Sequence, residues 1–138
     1  MTARKSTQIR SALELEYQAD PIRESLKLLG RKWTLLIIRD IAFLKLRRFG
    51  QILKNNPGLT PRVLSRRLDQ MAKEGLVKKK SIRTEGPQYY LTTKGEDAVY
   101  ILLATLRFGI RHYMKKLDEK SAIDKLHYEV PEEKKWSY

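Results

Sequence analysis

The sequence predicts a mainly α-helical domain of the α+β class, in which four helices precede one small β-hairpin and a long last helix. Apolar residues recur at helical spacing through most of the middle of the chain. The exceptions are two short segments, LVKKKSI and QYYLT, whose pattern is typical of strands. A chain of 138 residues accommodates one such domain, predicted over residues 20–113, with an N-terminal extension (1–19) and a partly flexible C-terminal extension (114–138).

The first two helices of the domain differ in character. The first is predicted to start with Asp20 as N-cap and Pro21 at the first helical position, and to end at Gly30. The segment KWTLLIIRDIAFL is apolar on nearly every side from Trp33 to Leu44, which predicts a helix buried in the middle of the domain. Ahead of both, TQIRSALELEY has the pattern of a further short helix in the N-terminal extension.

The third helix is short and is followed by a tight turn. The segment RRFGQILKNN places Phe49, Ile52 and Leu53 on one side, and NPG at residues 56–58 is a strong turn signal. The next segment, LTPRVLSRRLDQMAKEG, predicts the fourth helix, with Thr60 as N-cap. Two helices therefore flank a tight turn.

The fourth helix separates into two faces. Pro61 suits its first turn and Gly75 ends it. At about 100° per residue, one face is apolar and the opposite face is mostly charged. The apolar face carries Leu64, Leu68 and Met71, and the polar face carries Arg62, Ser65, Arg66, Asp69 and Lys73. Taken alone, this pattern is also typical of an ordinary helix with a solvated face.

The hairpin is basic. The segment RTEGP, with Gly86 and Pro87, is predicted to form the turn between its strands. Tyr89 and Leu91 are expected in the core because they alternate with Gln88 and Tyr90, as in a half-buried strand; Trp33 is also expected in the core. The cations of the hairpin are Lys78, Lys79, Lys80 and Arg83.

The last helix has more apolar residues than one face requires. It is predicted to start at Thr93, with Glu96 completing a capping box, and to run to about residue 113. One stripe comprises Val99, Leu102, Leu106, Ile110 and Tyr113, and a second comprises Ile101 and Phe108. The first stripe is expected to pack against the core of the domain. The second stripe needs a partner and indicates a two-fold homodimer. The alternative, that Leu117, Ile123 and Leu126 of the C-terminal extension cover the second stripe, stays open.

The charge balance favours a nucleic-acid partner. Lys and Arg number 29 against 16 Asp and Glu, giving a net charge of +13. The absence of cysteine excludes disulfides and Cys-based metal sites, and two distant histidines, His112 and His127, give little support to a metal or catalytic site. We therefore expect no enzymatic activity, cofactor or metal. Without a spanning segment or a signal-peptide pattern, we expect no membrane partner and a cytoplasmic location, nucleoid-associated when DNA is bound.

Charge, turn and hairpin together favour a winged helix-turn-helix. In such a unit, the second helix of the pair enters the major groove, so its outer face carries donors for bases and phosphates. This context makes DNA binding a better explanation of the Arg62 face than a solvated surface.

The chain also resembles the HxlR-type winged-helix regulators, through GRKWTLLIIRDI, RRFGQI, LTPRVLSRRLDQMAKEGLV and YYLTTKG, in that order. The resemblance implies a homodimeric DNA-binding transcription regulator that dimerises through the first and last core helices. The predicted interface residues are Ile22, Leu26, Ile101, Leu106, Phe108 and Tyr113. Many members of the family have a cysteine before the first proline, where this chain has Asp20, so thiol sensing is not expected of it.

The predicted DNA-binding residues are Arg47, Arg48, Gln51, Thr60, Pro61, Arg62, Ser65, Arg66, Lys80 and Arg83. Arg62 and Arg66 are expected on bases, because arginine binds guanine in a bidentate manner. Arg47, Arg48, Lys78 and Lys80 could equally be solvated charges. Arg67, at the edge of the inner face, is at least as well placed to pair with an acidic residue such as Asp40.

The expected DNA partner is a duplex with a two-fold related operator. The alternative function is an architectural protein that coats DNA without sequence preference. An enzyme is a third reading, kept only because Asp40, Glu74 and Glu85 cannot be placed in space from the sequence. The operator and any small-molecule effector stay undefined by the sequence.

Overall fold

The computed structural model describes residues 20–114 and 116–126, so the helix predicted in TQIRSALELEY and the last twelve residues lie outside the described part of the chain. The chain divides into two compact units, with the boundary between Lys32 and Trp33. The first unit contains α1 (Pro21–Leu29). The second contains α2 (Thr34–Ala42), α3 (Phe49–Asn55), α4 (Pro61–Lys73), β1 (Val77–Ile82), β2 (Gly86–Leu91), α5 (Thr93–Tyr113) and α6 (Glu119–Lys125). The predicted order of helices and strands is confirmed, with α6 added.

Helix α1 begins as the sequence predicts. The Asp20 carboxylate accepts hydrogen bonds from the backbone N–H groups of Ile22 at 3.1 Å and Arg23 at 3.2 Å, and Pro21 occupies the first helical position. Two donors that the helix cannot satisfy internally are thereby paired. Gly30 is the C-cap, but its φ of −81° is right-handed, so the helix ends there without the left-handed conformation that glycine usually provides.

Helix α2 is the centre of the second unit. Ile37, Ile38 and Ile41 are fully buried, and the helix packs against α5 and β2. The prediction of a helix buried on nearly every side from Trp33 to Leu44 is wrong at two residues. Leu36 is partly exposed, and Leu44 lies beyond the end of the helix and is half exposed.

A buried carboxylate connects α2 to α3. Asp40 has no exposed surface and accepts hydrogen bonds from Arg39 (Nη2, 2.8 Å), Asn55 (3.0 Å) and Asn56 (2.6 Å). The predicted pairing of Asp40 with Arg67 is wrong. The Arg67 guanidinium instead donates to the Gln70 side chain, one turn further along α4, at 2.7 Å. Arg39 is adjacent to Asp40 in sequence, and its Nε also donates to the Asp40 carboxylate, at 2.9 Å. The negative charge of Asp40 is therefore already paired with a neighbouring cation.

Helices α3 and α4 form the predicted helix-turn-helix. The Thr60 hydroxyl accepts the Val63 N–H at 3.3 Å, and Leu64, Leu68 and Met71 are buried, as predicted. In α3, Ile52 is buried while Phe49 and Leu53 are half-buried. Trp33, at the N-cap of α2, is also half-buried rather than fully in the core.

The end of α4 is fastened to the start of α5. Gly75 has a φ of +77°, which turns the chain so that the Leu76 N–H donates to the Met71 carbonyl at 2.8 Å. Thr92 then donates its N–H to the Leu76 carbonyl at 3.0 Å, and its hydroxyl lies within hydrogen-bond distance of the Gly75 carbonyl. The Lys94 ammonium donates to the Glu74 carbonyl at 2.9 Å. These bonds join the two helices directly.

Thr92, and not the predicted Thr93, is the N-cap of α5. Its hydroxyl accepts the Gly95 N–H at 3.1 Å, so a capping box with Glu96 that starts from Thr93 does not form. A side chain at Gly95 would collide with the Leu76 carbonyl, which explains the glycine in the first turn of this helix. The helix ends at Tyr113, as predicted.

The hairpin pairs in one antiparallel register, with Lys78 opposite Tyr90 and Lys80 opposite Gln88. The turn comprises residues 83–85. The prediction that Gly86 and Pro87 form the turn is wrong, because both residues belong to β2. Tyr89 is buried and Leu91 half-buried. Gln88 is buried too, contrary to the alternation, because its amide donates to Glu85 at 2.8 Å and its carbonyl accepts from the Tyr90 hydroxyl at 2.8 Å.

Helix α5 buries one stripe and exposes another. Val99, Leu102 and Ile110 are buried and Leu106 is half-buried, but Tyr113 is 78% exposed and does not belong to the buried stripe. The short helix α6, which the sequence pattern did not predict, is capped by Asp118 and contacts α5. Within the described residues α6 leaves the second stripe exposed, including Phe108 at 58%.

Replacing Asp20 by Ala should destabilise α1 by about 0.5–2 kcal/mol, because two backbone donors lose their acceptor. Helicity and the free energy of unfolding in urea measure the loss. Asp20→Asn, which keeps an accepting oxygen, is the matched control and should retain most of the stability. Equal losses in the two variants would mean that the cap does not act through this hydrogen bond.

Replacing Asp40 by Ala should lower the free energy of unfolding by about 1–3 kcal/mol or more, because buried donors, Asn56 above all, are left without an acceptor. Urea denaturation of Asp40→Ala beside Asp69→Ala, an exposed acid on α4, provides the comparison. Asp69→Ala should stay within about 0.5 kcal/mol of the parent protein. An Asp40→Ala variant as stable as the parent would contradict a structural role for the buried carboxylate.

Candidate nucleic-acid interface

The outer face of α4 carries the polar side chains that the sequence assigned to DNA. Arg62, Ser65 and Arg66 are exposed, whereas Leu64 and Leu68 on the opposite face are buried. The buried face holds the helix in the domain, so the arginines project from a fixed support. Such a helix presents donors that reach phosphates and base edges in a major groove.

Two residues at the start of α4 have local roles. The Thr60 hydroxyl accepts the Val63 N–H and therefore serves as the cap of the helix. Pro61 is exposed at the first helical position and has no N–H to donate. Both lie beside Arg62, at the N-terminal end of the helix, where the partial positive charge of the helix dipole favours anions.

The start of α3 holds three of the predicted DNA-binding residues together. The side-chain oxygen of Gln51 accepts the backbone N–H groups of Arg47 at 3.3 Å and Arg48 at 3.2 Å. Gln51 is therefore a capping residue of the helix, whereas the sequence predicts only a DNA contact for it. The sequence signal for this cap is a glutamine three residues after the N-cap, which is the glutamine position of a capping box. This cap fixes the backbone from which both arginines project.

The hairpin of β1, its turn and β2 (residues 77–91) is the wing of the winged helix-turn-helix, and it is connected to this segment at two points. The Tyr89 N–H donates to the Arg47 carbonyl at 2.7 Å, and the Arg48 guanidinium lies 3.3 Å from the Glu85 carboxylate in the wing turn. Arg48 and Glu85 are each about half exposed, so this ion pair contributes little stability. The ion pair instead orients the Arg48 side chain, because it places Arg48 near the turn that carries Arg83.

Tyr90 brings two predicted DNA-binding cations together. The Arg47 guanidinium carbon lies 4.4 Å from the centre of its ring, and the Lys80 ammonium lies 4.9 Å from the same centre. Both distances are within the range of cation–π attraction. From the sequence, Tyr90 is expected only as the outward-facing neighbour of Tyr89, so this role is not predicted. The pairing of Lys78 with Tyr90 and of Lys80 with Gln88 puts both lysines on the Tyr90 side of the hairpin.

The remaining wing cations are exposed. Arg83 lies in the turn at the tip of the hairpin, and Lys78 and Lys79 lie along β1, pointing to opposite faces. The predicted DNA-binding residues thus occupy three elements of one unit: the start of α3, the N-terminal half of α4 and the wing.

The predicted interface residues are mostly exposed. In α1, Ile22 is 73% and Leu26 is 60% exposed. In α5, the Phe108 ring lies 4.7 Å from that of His112 and 6.4 Å from that of Tyr113, in an exposed aromatic cluster. Ile101 is also exposed, whereas Leu106 is half-buried.

Two other kinds of site were sought among the described residues, a metal centre and a membrane span. Among residues 20–114 and 116–126, no group of three or more His, Asp or Glu side chains is placed to hold a metal ion. Within the same residues, no helix is both long enough and apolar enough to cross a membrane.

Related proteins agree with this architecture. The chain is 34% identical over 101 residues to an uncharacterized HTH-type transcriptional regulator of Mycobacterium tuberculosis, an alignment that covers 72% of this chain and 63% of the relative. The chain therefore spans less than two thirds of the length of that relative. A similar regulator of Synechocystis is 33% identical over 92 residues, covering 64% of this chain and 67% of the relative.

Solved structures give the same fold. A possible HxlR family transcriptional factor from Thermoplasma volcanium superposes with a TM-score of 0.57 at 30% identity, over 78% of this chain and 87% of its own. Reduced YodB, a transcriptional regulator of B. subtilis, gives a TM-score of 0.57 at 20% identity, over 69% of this chain and 94% of its own, which shows the fold alone. The model of the HxlR-like helix-turn-helix family matches residues 28–130. This chain, with its winged helix-turn-helix fold, belongs to the HxlR-like helix-turn-helix family.

Proposed function

We propose that the protein is a homodimeric transcription regulator that binds a specific, two-fold related site in double-stranded DNA. The observation that carries the proposal is the outward row of Arg62, Ser65 and Arg66 on a helix whose opposite face is buried. Helix α4 enters the major groove, where Arg62 and Arg66 contact base edges and Ser65 contacts a base or a phosphate. Such a protein acts where chromosomal DNA lies, in the cytoplasm.

The other predicted residues have backbone roles in this proposal. Arg47 and Arg48 contact phosphates beside α3, and Lys80 and Arg83 contact the backbone or the adjacent groove from the wing. Thr60, Pro61 and Gln51 lie at helix starts and set the register of α3 and α4 against the phosphates. The protein needs no cofactor and catalyses no reaction.

The proposed dimerisation is supported by the apolar residues that the described part of the chain leaves exposed. Phe108 and Tyr113 on α5, and Ile22 and Leu26 on α1, are large apolar or aromatic side chains that the described residues of one chain leave exposed. A second copy with two-fold symmetry covers the same residues on both chains. Two α4 helices would then face half-sites about 34–36 Å apart, one turn of DNA.

An architectural role without sequence preference is the second candidate, favoured by the net charge of +13 and the lysines of the wing. Selection of bound duplexes from a random pool separates the two functions. A regulator enriches a motif with two-fold symmetry, whereas an architectural protein recovers the starting pool. Recovery of the unselected pool at physiological salt would overturn the proposal of a specific regulator.

Arg62→Ala and Arg66→Ala should each weaken binding to the selected site by about 1–3 kcal/mol and relax base preference at one position of each half-site. Binding titrations against the selected site and single-base variants measure both effects. Lys125→Ala, which removes a cation from α6, is the control and should leave base preference unchanged. A loss of the same size on every sequence would contradict base contacts.

Lys80→Ala and Arg83→Ala should weaken binding to all sequences alike and make the dependence of affinity on salt shallower, by about one unit of slope for each lost phosphate contact. Titrations at several salt concentrations, on selected and random duplexes, give this slope. Lys125→Ala serves again as the control for a general change in charge. If wing and α4 variants showed the same pattern of loss, the assigned division between backbone and base contacts would be wrong.

Phe108→Glu should yield folded monomers that bind the selected site poorly, because the charge opposes burial at the interface and each half-site alone offers few contacts. Sedimentation velocity gives the oligomeric state and circular dichroism the fold. Leu44→Glu places the same charge at an exposed apolar residue outside α1 and α5, and should remain dimeric. Wild-type protein that sediments as a monomer at micromolar concentration would refute the proposed dimer.

A further inference from the structure

One aromatic residue of the wing, Tyr90, contacts two cations that belong to different elements. The Arg47 guanidinium carbon lies 4.4 Å from the centre of its ring, and the Lys80 ammonium lies 4.9 Å from the same centre. Arg47 precedes α3 and Lys80 lies on β1, so the ring joins the loop before α3 to the wing. Because both charges lie within 5 Å of one point, they are less than 10 Å from each other.

The ring offsets the repulsion between these two cations. Like charges at this separation repel each other unless a negative group lies near both. The face of an aromatic ring carries partial negative charge, so Arg47 and Lys80 are each attracted to Tyr90. Two long and flexible side chains are thereby held near one place on the surface.

A ring holds a cation in a way that suits a later contact with phosphate. The attraction acts on the charge and does not occupy the N–H donors as a carboxylate oxygen does. Glu85, the one acidic residue of the wing, shows the contrast, because its carboxylate oxygen lies 3.3 Å from an Arg48 nitrogen. A neutral ring also adds no negative charge that would repel DNA.

Tyr90 is itself held in place by the wing. Its hydroxyl donates to the side-chain oxygen of Gln88 at 2.8 Å, and the Gln88 amide donates to Glu85 at 2.8 Å. Gln88 is buried and Tyr90 is half-buried, and the backbone of Tyr90 pairs with Lys78 of β1. The ring is therefore a fixed support for the cations that lie beside it.

We propose that Tyr90 is a positioning residue for DNA binding, whose ring holds Arg47 and Lys80 as a pair for the phosphates of the duplex. This inference rests on the proposed function, which assigns both cations to the DNA backbone. Long side chains lose rotamer freedom when they bind, and side chains that the ring already holds lose less of it. Tyr90 therefore raises the affinity for every sequence alike and reads no base.

The test compares Tyr90→Leu, which removes the ring, with Tyr90→Phe, which keeps it. Tyr90→Leu should weaken binding of the full-length protein to random and selected duplexes by about three- to tenfold, the factor for ordering a long side chain on binding. Tyr90→Phe should stay within about twofold of the parent protein. Both variants lose the hydroxyl that donates to Gln88, so both should unfold at lower urea concentrations. A shared loss of stability would not explain an affinity that only Tyr90→Leu loses.

A double-mutant cycle tests whether Tyr90 acts through the two cations. In an Arg47→Ala/Lys80→Ala background, Tyr90→Leu should no longer change the affinity for DNA, because no cation is left for the ring to hold. Lys79→Ala/Arg83→Ala is the matched background, since it also removes one lysine and one arginine; Lys79 points to the other face of the hairpin and Arg83 lies in the turn. There Tyr90→Leu should keep its full effect. Titrations at low salt keep the weakened complexes measurable. Equal losses in the two backgrounds would overturn the positioning role.

NMR of the DNA-free protein tests the contact separately from DNA binding. The ring current of Tyr90 should shift the side-chain signals of Arg47 and Lys80, and the shifts should persist in Tyr90→Phe and disappear in Tyr90→Leu. A parent protein that binds all duplexes equally would refute the specific regulator, and the cycle on random duplexes would still decide the role of Tyr90. A parent protein that selects a two-fold site, with a Tyr90→Leu variant of parental affinity, would refute this inference alone.

Discussion

The second unit depends on one buried charge, the Asp40 carboxylate. A carboxylate without exposed surface is costly unless donors surround it, and here those donors come from Arg39 on its own helix and from Asn55 and Asn56 at the end of α3. Asn56 also donates to the Ile52 carbonyl, so the same side chain ends α3 and begins the turn toward α4. The position of the helix that would read DNA is thereby fixed to the core helix α2.

A second set of contacts connects the wing to the helix-turn-helix. The loop before α3 is held by Gln51 on one side and by the Tyr89 N–H on the other, and its arginine, Arg47, lies over Tyr90. The elements proposed to contact DNA therefore share one backbone segment.

Much of the fold follows from local sequence signals, and the departures have specific causes. Thr60, Pro61 and Gly75 were assigned correctly because capping depends on a few adjacent residues. The sequence predicts Thr93 rather than Thr92 as the N-cap of α5, because either threonine can cap a helix. The hydrogen bonds from Thr92 to the Leu76 carbonyl, sixteen residues away, determine that Thr92 is the cap. Long-range contacts of this kind have no periodic signature in one sequence.

The same cause explains the errors within the candidate site. The partner of Asp40, the burial of Gln88 and the two cations over Tyr90 depend on which strands and loops meet, and hydrophobic periodicity does not report this. The direct fastening of α4 to α5 has a mechanical consequence. Because backbone hydrogen bonds join the end of α4 to the start of α5 across the base of the hairpin, the crossing angle of the two α5 helices in a proposed dimer would set the distance between its two α4 helices. That angle would in turn determine which spacing of half-sites the dimer fits.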